Sequence, residues 1–80
     1  MRDVIRVAGI EIERSALTRL ALELRAAGEA DLGWRIGQTI DSNAEELNIY
    51  PGDADILLAH LRDPPEELVE LRDALRRNPL

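Results

Sequence analysis

Ser15-Ala-Leu-Thr-Arg-Leu-Ala-Leu-Glu-Leu-Arg-Ala-Ala-Gly28 is the longest unbroken helical pattern in this chain of 80 residues. Leu17, Leu20, Ala21 and Leu24 recur at i, i+3, i+4 and i+7, which places one apolar stripe on a helix of about 3.6 residues per turn. The Ser15 hydroxyl is placed to cap the first turn, and Gly28 to end the last one in the left-handed conformation. Such a stripe has to cover another layer, and the flanking segments supply one. The expected fold is α+β: a small antiparallel sheet, made of a hairpin plus a third short strand, packed on about four helices.

The hairpin lies upstream. Val4-Ile-Arg-Val-Ala-Gly-Ile-Glu-Ile-Glu13 alternates apolar and polar residues twice, giving strands over 4–7 and 10–13 joined at Ala8-Gly9. Arg6 would then face Glu11 across the pair, on the side turned to water. A single longer strand bulged at Gly9 is the competing pattern.

Downstream, Glu29–Ser42 reads as a second helix over 30–42, antiparallel to the first after a short corner. Leu32, Ile36 and Ile40 form its stripe, and Gly33 and Gly37 leave a smooth groove for a close helix approach. Leu47-Asn-Ile-Tyr50 reads as a third strand over 47–50, stopped by Pro51-Gly52. A third helix over 53–62 has Asp53 as its expected cap, with Ala54, Leu57, Leu58 and Leu61 inward. Asp63-Pro-Pro-Glu66 has the form of a capping box opening a fourth helix over 64–77, on which Leu68, Leu71 and Leu75 share a face. Acidic residues at its start and Arg72, Arg76 and Arg77 at its end suit the helix dipole. Asn78-Pro79-Leu80 closes the chain.

Composition limits what such a chain does. Its length allows one domain, 1–80, with one small core built from aliphatic side chains, because there is no Phe, one Trp and one Tyr. With no cysteine there is neither a disulfide nor a thiolate metal site. No export signal and no membrane span are legible, so a cytoplasmic protein without membrane contact is expected. Sixteen acidic against ten basic residues give a net charge of −6, which disfavours a phosphate backbone as partner. All ten basic residues are Arg, a bias that genome composition explains more economically than function does.

No constellation of catalytic or metal-binding residues emerges. His60 is the single histidine, which rules out the familiar structural-zinc sets and leaves it a structural role. Asp53 and Asp55 begin like a calcium loop, but its sixth and twelfth places hold Leu58 and Pro64. Glu45-Glu46 and Glu66-Glu67 are adjacent on helical patterns, so their carboxylates diverge. Gly33-x-x-x-Gly37 has no Lys after it and suits close packing better than phosphate binding. No cofactor and no enzymatic activity are expected.

What remains is interaction. Leu22, Ala26, Ile56 and Val69 are apolar residues beyond one stripe per helix. Trp34 lies on the far side of the second helix from its stripe. Its first expectation is the core of so small a domain; the alternative is an interface, where Trp is prominent among residues that dominate binding. These five are the candidate interface residues of a small acidic module that binds itself as a homodimer or binds another protein. The runner-up is a DNA-binding helix-turn-helix with its corner at Gly28, in which Arg35, Gln38, Thr39 and Trp34 would read bases and Arg72, Arg76 and Arg77 would meet phosphates, with Arg25 the other basic residue near the corner.

Overall fold

In a computed structural model, residues 3–77 are described. The two strands of the hairpin, β1 (Val4–Val7) and β2 (Ile10–Glu13), stand where the alternation puts them. They pair antiparallel with Ile5 opposite Ile12, Arg6 opposite Glu11 and Val7 opposite Ile10. Ile5, Val7 and Ile12 are buried on one face, while Arg6, Glu11 and Glu13 lie on the open one. The turn between the strands has positive φ at both central residues, +52° at Ala8 and +81° at Gly9. That is the twist a two-residue hairpin requires, and Ala8 adopts it against its steric preference. Ala8→Asn, which makes the turn Asn-Gly, is therefore expected to stabilise the fold by about 0.5–1 kcal/mol. A denaturant midpoint that falls instead would count against this account of the turn.

Helix α1 (Arg14–Ala26) follows β2 without a loop. The Arg14 N–H donates to the Asp3 carbonyl at 3.1 Å, so the ladder between the strands continues up to the first helical residue. Glu13, still extended, is the N-cap residue, and Ser15 lies inside the helix without capping it, contrary to expectation. The other end behaves as the sequence indicates. Gly28 has φ +91°, Gly28 N–H donates to the Arg25 carbonyl and Glu29 N–H to the Leu24 carbonyl, the paired bonds of a Schellman stop.

Helix α2 (Ala30–Asp41) packs antiparallel on α1 and ends in the same way. Here Asn43 takes the left-handed position at φ +57°, and Asn43 and Ala44 donate to the carbonyls of Ile40 and Thr39. Arg14 reaches across from α1 to donate to the Ile40 carbonyl at 2.7 Å and also pairs with Asp3. This places the end of α2 beside the beginning of β1. A strand leaving that point runs in the direction of β1, and β3 (Glu46–Leu47) is accordingly parallel to it, in the sheet order β2-β1-β3. The sheet is thus mixed rather than wholly antiparallel. Its third strand covers two residues instead of 47–50 because its partner ends at Val7, where the hairpin turns away.

Tyr50-Pro51-Gly52-Asp53 forms a tight turn closed by Asp53 N–H to the Tyr50 carbonyl at 3.0 Å, with Gly52 at φ +95°. Gly52, not Asp53, precedes helix α3 (Asp53–His60) as its N-cap residue. The expected capping box at Asp63 does not form either. A 3-10 turn over Glu66–Leu68 leads into α4 (Val69–Arg77), and Pro65 precedes that turn in extended conformation. The reason is steric. A proline disfavours helical geometry in the residue before it, so Pro65 keeps Pro64 out of any helix. The four helices and the three-stranded sheet enclose one hydrophobic cluster running from Ile5 to Leu75, with Leu24 and Leu71 fully inaccessible at its centre. Asn78-Pro79-Leu80 lie outside the described residues.

Candidate functional site

The outer face of the α1–α2 pair is where unused apolar surface collects. Its geometry begins at Gly33, whose α-carbon lies so close to α1 that an added Cβ would stand 2.9 Å from the Ala21 carbonyl oxygen and 2.6 Å from Arg25 Cγ. This contact sets the two helix backbones close together. Leu32 and Ile36 turn inward from it, and Trp34, about 100° further round the helix from Gly33, is carried outward. The expectation that Trp34 fills the core is corrected here: 60% of it is exposed. There is no space for an indole between helices that meet at a glycine. Leu22 stands across from it on α1, 58% exposed.

Between them runs a shallow groove of about 270 Å³. Gly37 lies in its floor with open space where a side chain would be, since a Cβ there meets nothing within 4 Å. Thr18, Gln38 and the half-buried Ile40 complete the walls. Arg25 marks one end, level with Gly33, and Asp41 the other. Among the described residues neither Arg25 nor Asp41 has an ion-pair partner.

Of the five candidate interface residues, the fold brings Leu22 and Trp34 together. Ala26 is exposed one turn beyond Leu22 on α1, outside the groove. Ile56 is half-buried against the core from α3, and Val69 is half-buried at the start of α4. His60 is also half-buried, in a small depression with Arg19, Glu23 and Asp63.

A second cluster was not legible in the sequence. Arg35 Nη1 and Nη2 donate to Asp53 Oδ2 and Oδ1 at 2.9 and 2.8 Å, a bidentate pair joining α2 to the start of α3. Asp53 Oδ2 also accepts the Tyr50 N–H at 3.0 Å, and the guanidinium carbon lies 5.4 Å from the centre of the Tyr50 ring. The hydrogen bonds from Arg35 hold the Asp53 carboxyl below its ordinary value; burial opposes them, and the Tyr50 N–H and the Arg35 charge add to them. Arg35 is correspondingly raised, by the same hydrogen bonds first, against its own partial burial. Eighteen residues separate the partners, and no local pattern relates them. The only sequence signal is an Asp directly after Pro-Gly, a pattern that equally suits a helix cap.

No family model, curated protein or solved structure matches this chain. Its chemistry therefore rests on its own geometry. Among the described residues, no group of three or more His, Asp or Glu side chains is placed to hold a metal ion, and no helix is long and apolar enough to cross a membrane. The cluster around Asp53 is committed to internal bonds. The α1–α2 groove is not.

Proposed function

We propose that this chain is a small acidic accessory module that works by protein contact through the outer face of α1 and α2, without catalytic chemistry of its own. The observation that carries this is the position of Trp34. A domain this small gains stability chiefly by burying large apolar side chains, and leaving one in water forgoes about 2–3 kcal/mol. Among the described residues, the large apolar side chains left exposed are Leu22, Trp34 and Tyr50. Tyr50 is accounted for by the guanidinium over its ring. Leu22 and Trp34 share one groove, which has the composition of an interface centre, an aromatic anchor beside an aliphatic one.

The helix-turn-helix reading is the weaker one. Of the side chains it offers to bases, Arg35 is engaged by Asp53, and Thr39 donates to the Arg35 carbonyl of its own helix. Trp34 and Gln38 remain, beside the carboxylate of Asp41.

A photo-crosslinking amino acid at position 34, compared with one at the exposed Glu70 on α4, tests the proposal in the native host. A discrete protein adduct formed from position 34 and not from position 70, and unaffected by nuclease, is expected. Adducts of equal yield from both positions, none from either, or a nucleic-acid adduct from position 34 would overturn it.

A further inference from the structure

We infer that the occupant of the α1–α2 groove is a second copy of this chain, docked about a two-fold axis perpendicular to the helices. This rests on the groove being a protein-docking face. The chain carries a net charge of −6, so most of its surface repels another copy of itself. The groove is different: its charged lining is one Arg and one Asp, Arg25 at one end and Asp41 at the other, both without an ion-pair partner among the described residues. A two-fold axis across the groove lays each Arg25 end on the other copy's Asp41 end. Like charges are thereby avoided and opposite ones matched, twice over by symmetry.

The apolar groups obey the same axis. On α2, Trp34 and Gly37 are three residues apart, about 4.5 Å along the helix. Their midpoint lies between Arg35 and Ile36. Arg25 is level with Gly33 through direct packing, so the midpoint between the Arg25 and Asp41 ends falls at Gly37, about one and a half residues or roughly 2 Å away. An axis between the two midpoints leaves each pair only about 2 Å from exact register along the helix, within the reach of these side chains, so it brings Arg25 to Asp41 and Trp34 of each copy beside Gly37 of the other. Gly37 is the position where a side chain is missing and the space in front of it is open. Trp34 is the projection and Gly37 the recess, and an isologous contact needs both on one surface.

Sedimentation velocity across a dilution series from millimolar to micromolar chain tests the arrangement. The wild-type chain is expected as a dimer of twice its 9.0 kDa mass that dissociates on dilution. Trp34→Ala, which removes an exposed side chain and leaves the core untouched, is expected to weaken the dimer at least about 100-fold, since two anchors are lost. Gly37→Leu projects into the recess from a position where a Cβ meets nothing within 4 Å and is expected to do the same. Arg25→Asp and Asp41→Arg are each expected to weaken the dimer about tenfold, and the two together in one chain to restore it. Circular dichroism melts of each variant separate loss of the dimer from loss of the fold.

A wild-type chain that is monomeric throughout, a dimer indifferent to Trp34 and Gly37, or a double charge exchange that fails to restore association overturns the inference. The docking reading fails separately. A monomeric chain that still gives a position-34 adduct with a different protein keeps the face and loses the second copy; absence of both loses both.

Discussion

Asp53→Ala is expected to destabilise the fold by about 2–3 kcal/mol, a loss of roughly 10–20 °C in melting temperature for a chain of this size. Three hydrogen bonds disappear with the carboxylate, two from the Arg35 guanidinium and one from the Tyr50 N–H. The cost stays below that of breaking a fully buried pair, because the Arg35 side chain is 27% exposed and regains water. Asp53→Asn, which keeps the shape and an acceptor for Tyr50, is expected to lose about half as much. The pair also sets an acid limit. Bonding to Arg35 holds the folded-state carboxyl below its unfolded value of about 3.9, so the stabilisation is fully present above that pH and drains away as pH falls through the lower folded value. Urea melts between pH 6 and pH 2.5 are thus expected to show a steeper fall below pH ~4 for the wild-type chain than for Asp53→Asn. Parallel curves would show that Asp53 carries no such linkage.

Gly33→Val is expected to cost about 2 kcal/mol, although a valine is intrinsically no worse than glycine in a helix. Its Cβ would enter within 2.9 Å of the Ala21 carbonyl oxygen, a backbone atom held by α1, and within 2.6 Å of Arg25 Cγ. Arg25 is flexible and exposed and can move away; the carbonyl moves only if the helices separate. The control is one turn further on. Gly37→Ala places its methyl in open space and is expected to stabilise the helix by up to ~1 kcal/mol. Both changes are best measured in the Trp34→Ala background, where contact between copies no longer contributes. Chemical melts that show the two glycines responding alike would remove the close α1–α2 approach from which the outward position of Trp34 follows.

The hairpin, the stop at Gly28 and the core stripes of all four helices were legible from the chain alone. Each depends on neighbours within about one turn or one strand pair: alternation at Val4–Val7, spacing at Leu17–Leu24, a glycine free to take φ +91°. The Asp63-Pro64-Pro65-Glu66 motif has the residues of a capping box, but the restriction that the second proline places on the first overrides them. That restriction is local, and the sequence contained it.

Three features were decided only in three dimensions. The direction of β3 depends on where α2 deposits the chain, beside the beginning of β1, which follows from helix lengths and a tight corner acting together. The exposure of Trp34 depends on how closely Gly33 lets α1 approach, a distance that no periodicity encodes. The pairing of Arg35 with Asp53 joins residues with no local relation, so each looked like an ordinary helical charge. Periodicity told each helix which face to bury. Which of the remaining faces would stay open was determined by the packing of the elements on one another, since side-chain spacing describes one helix and an interface requires two.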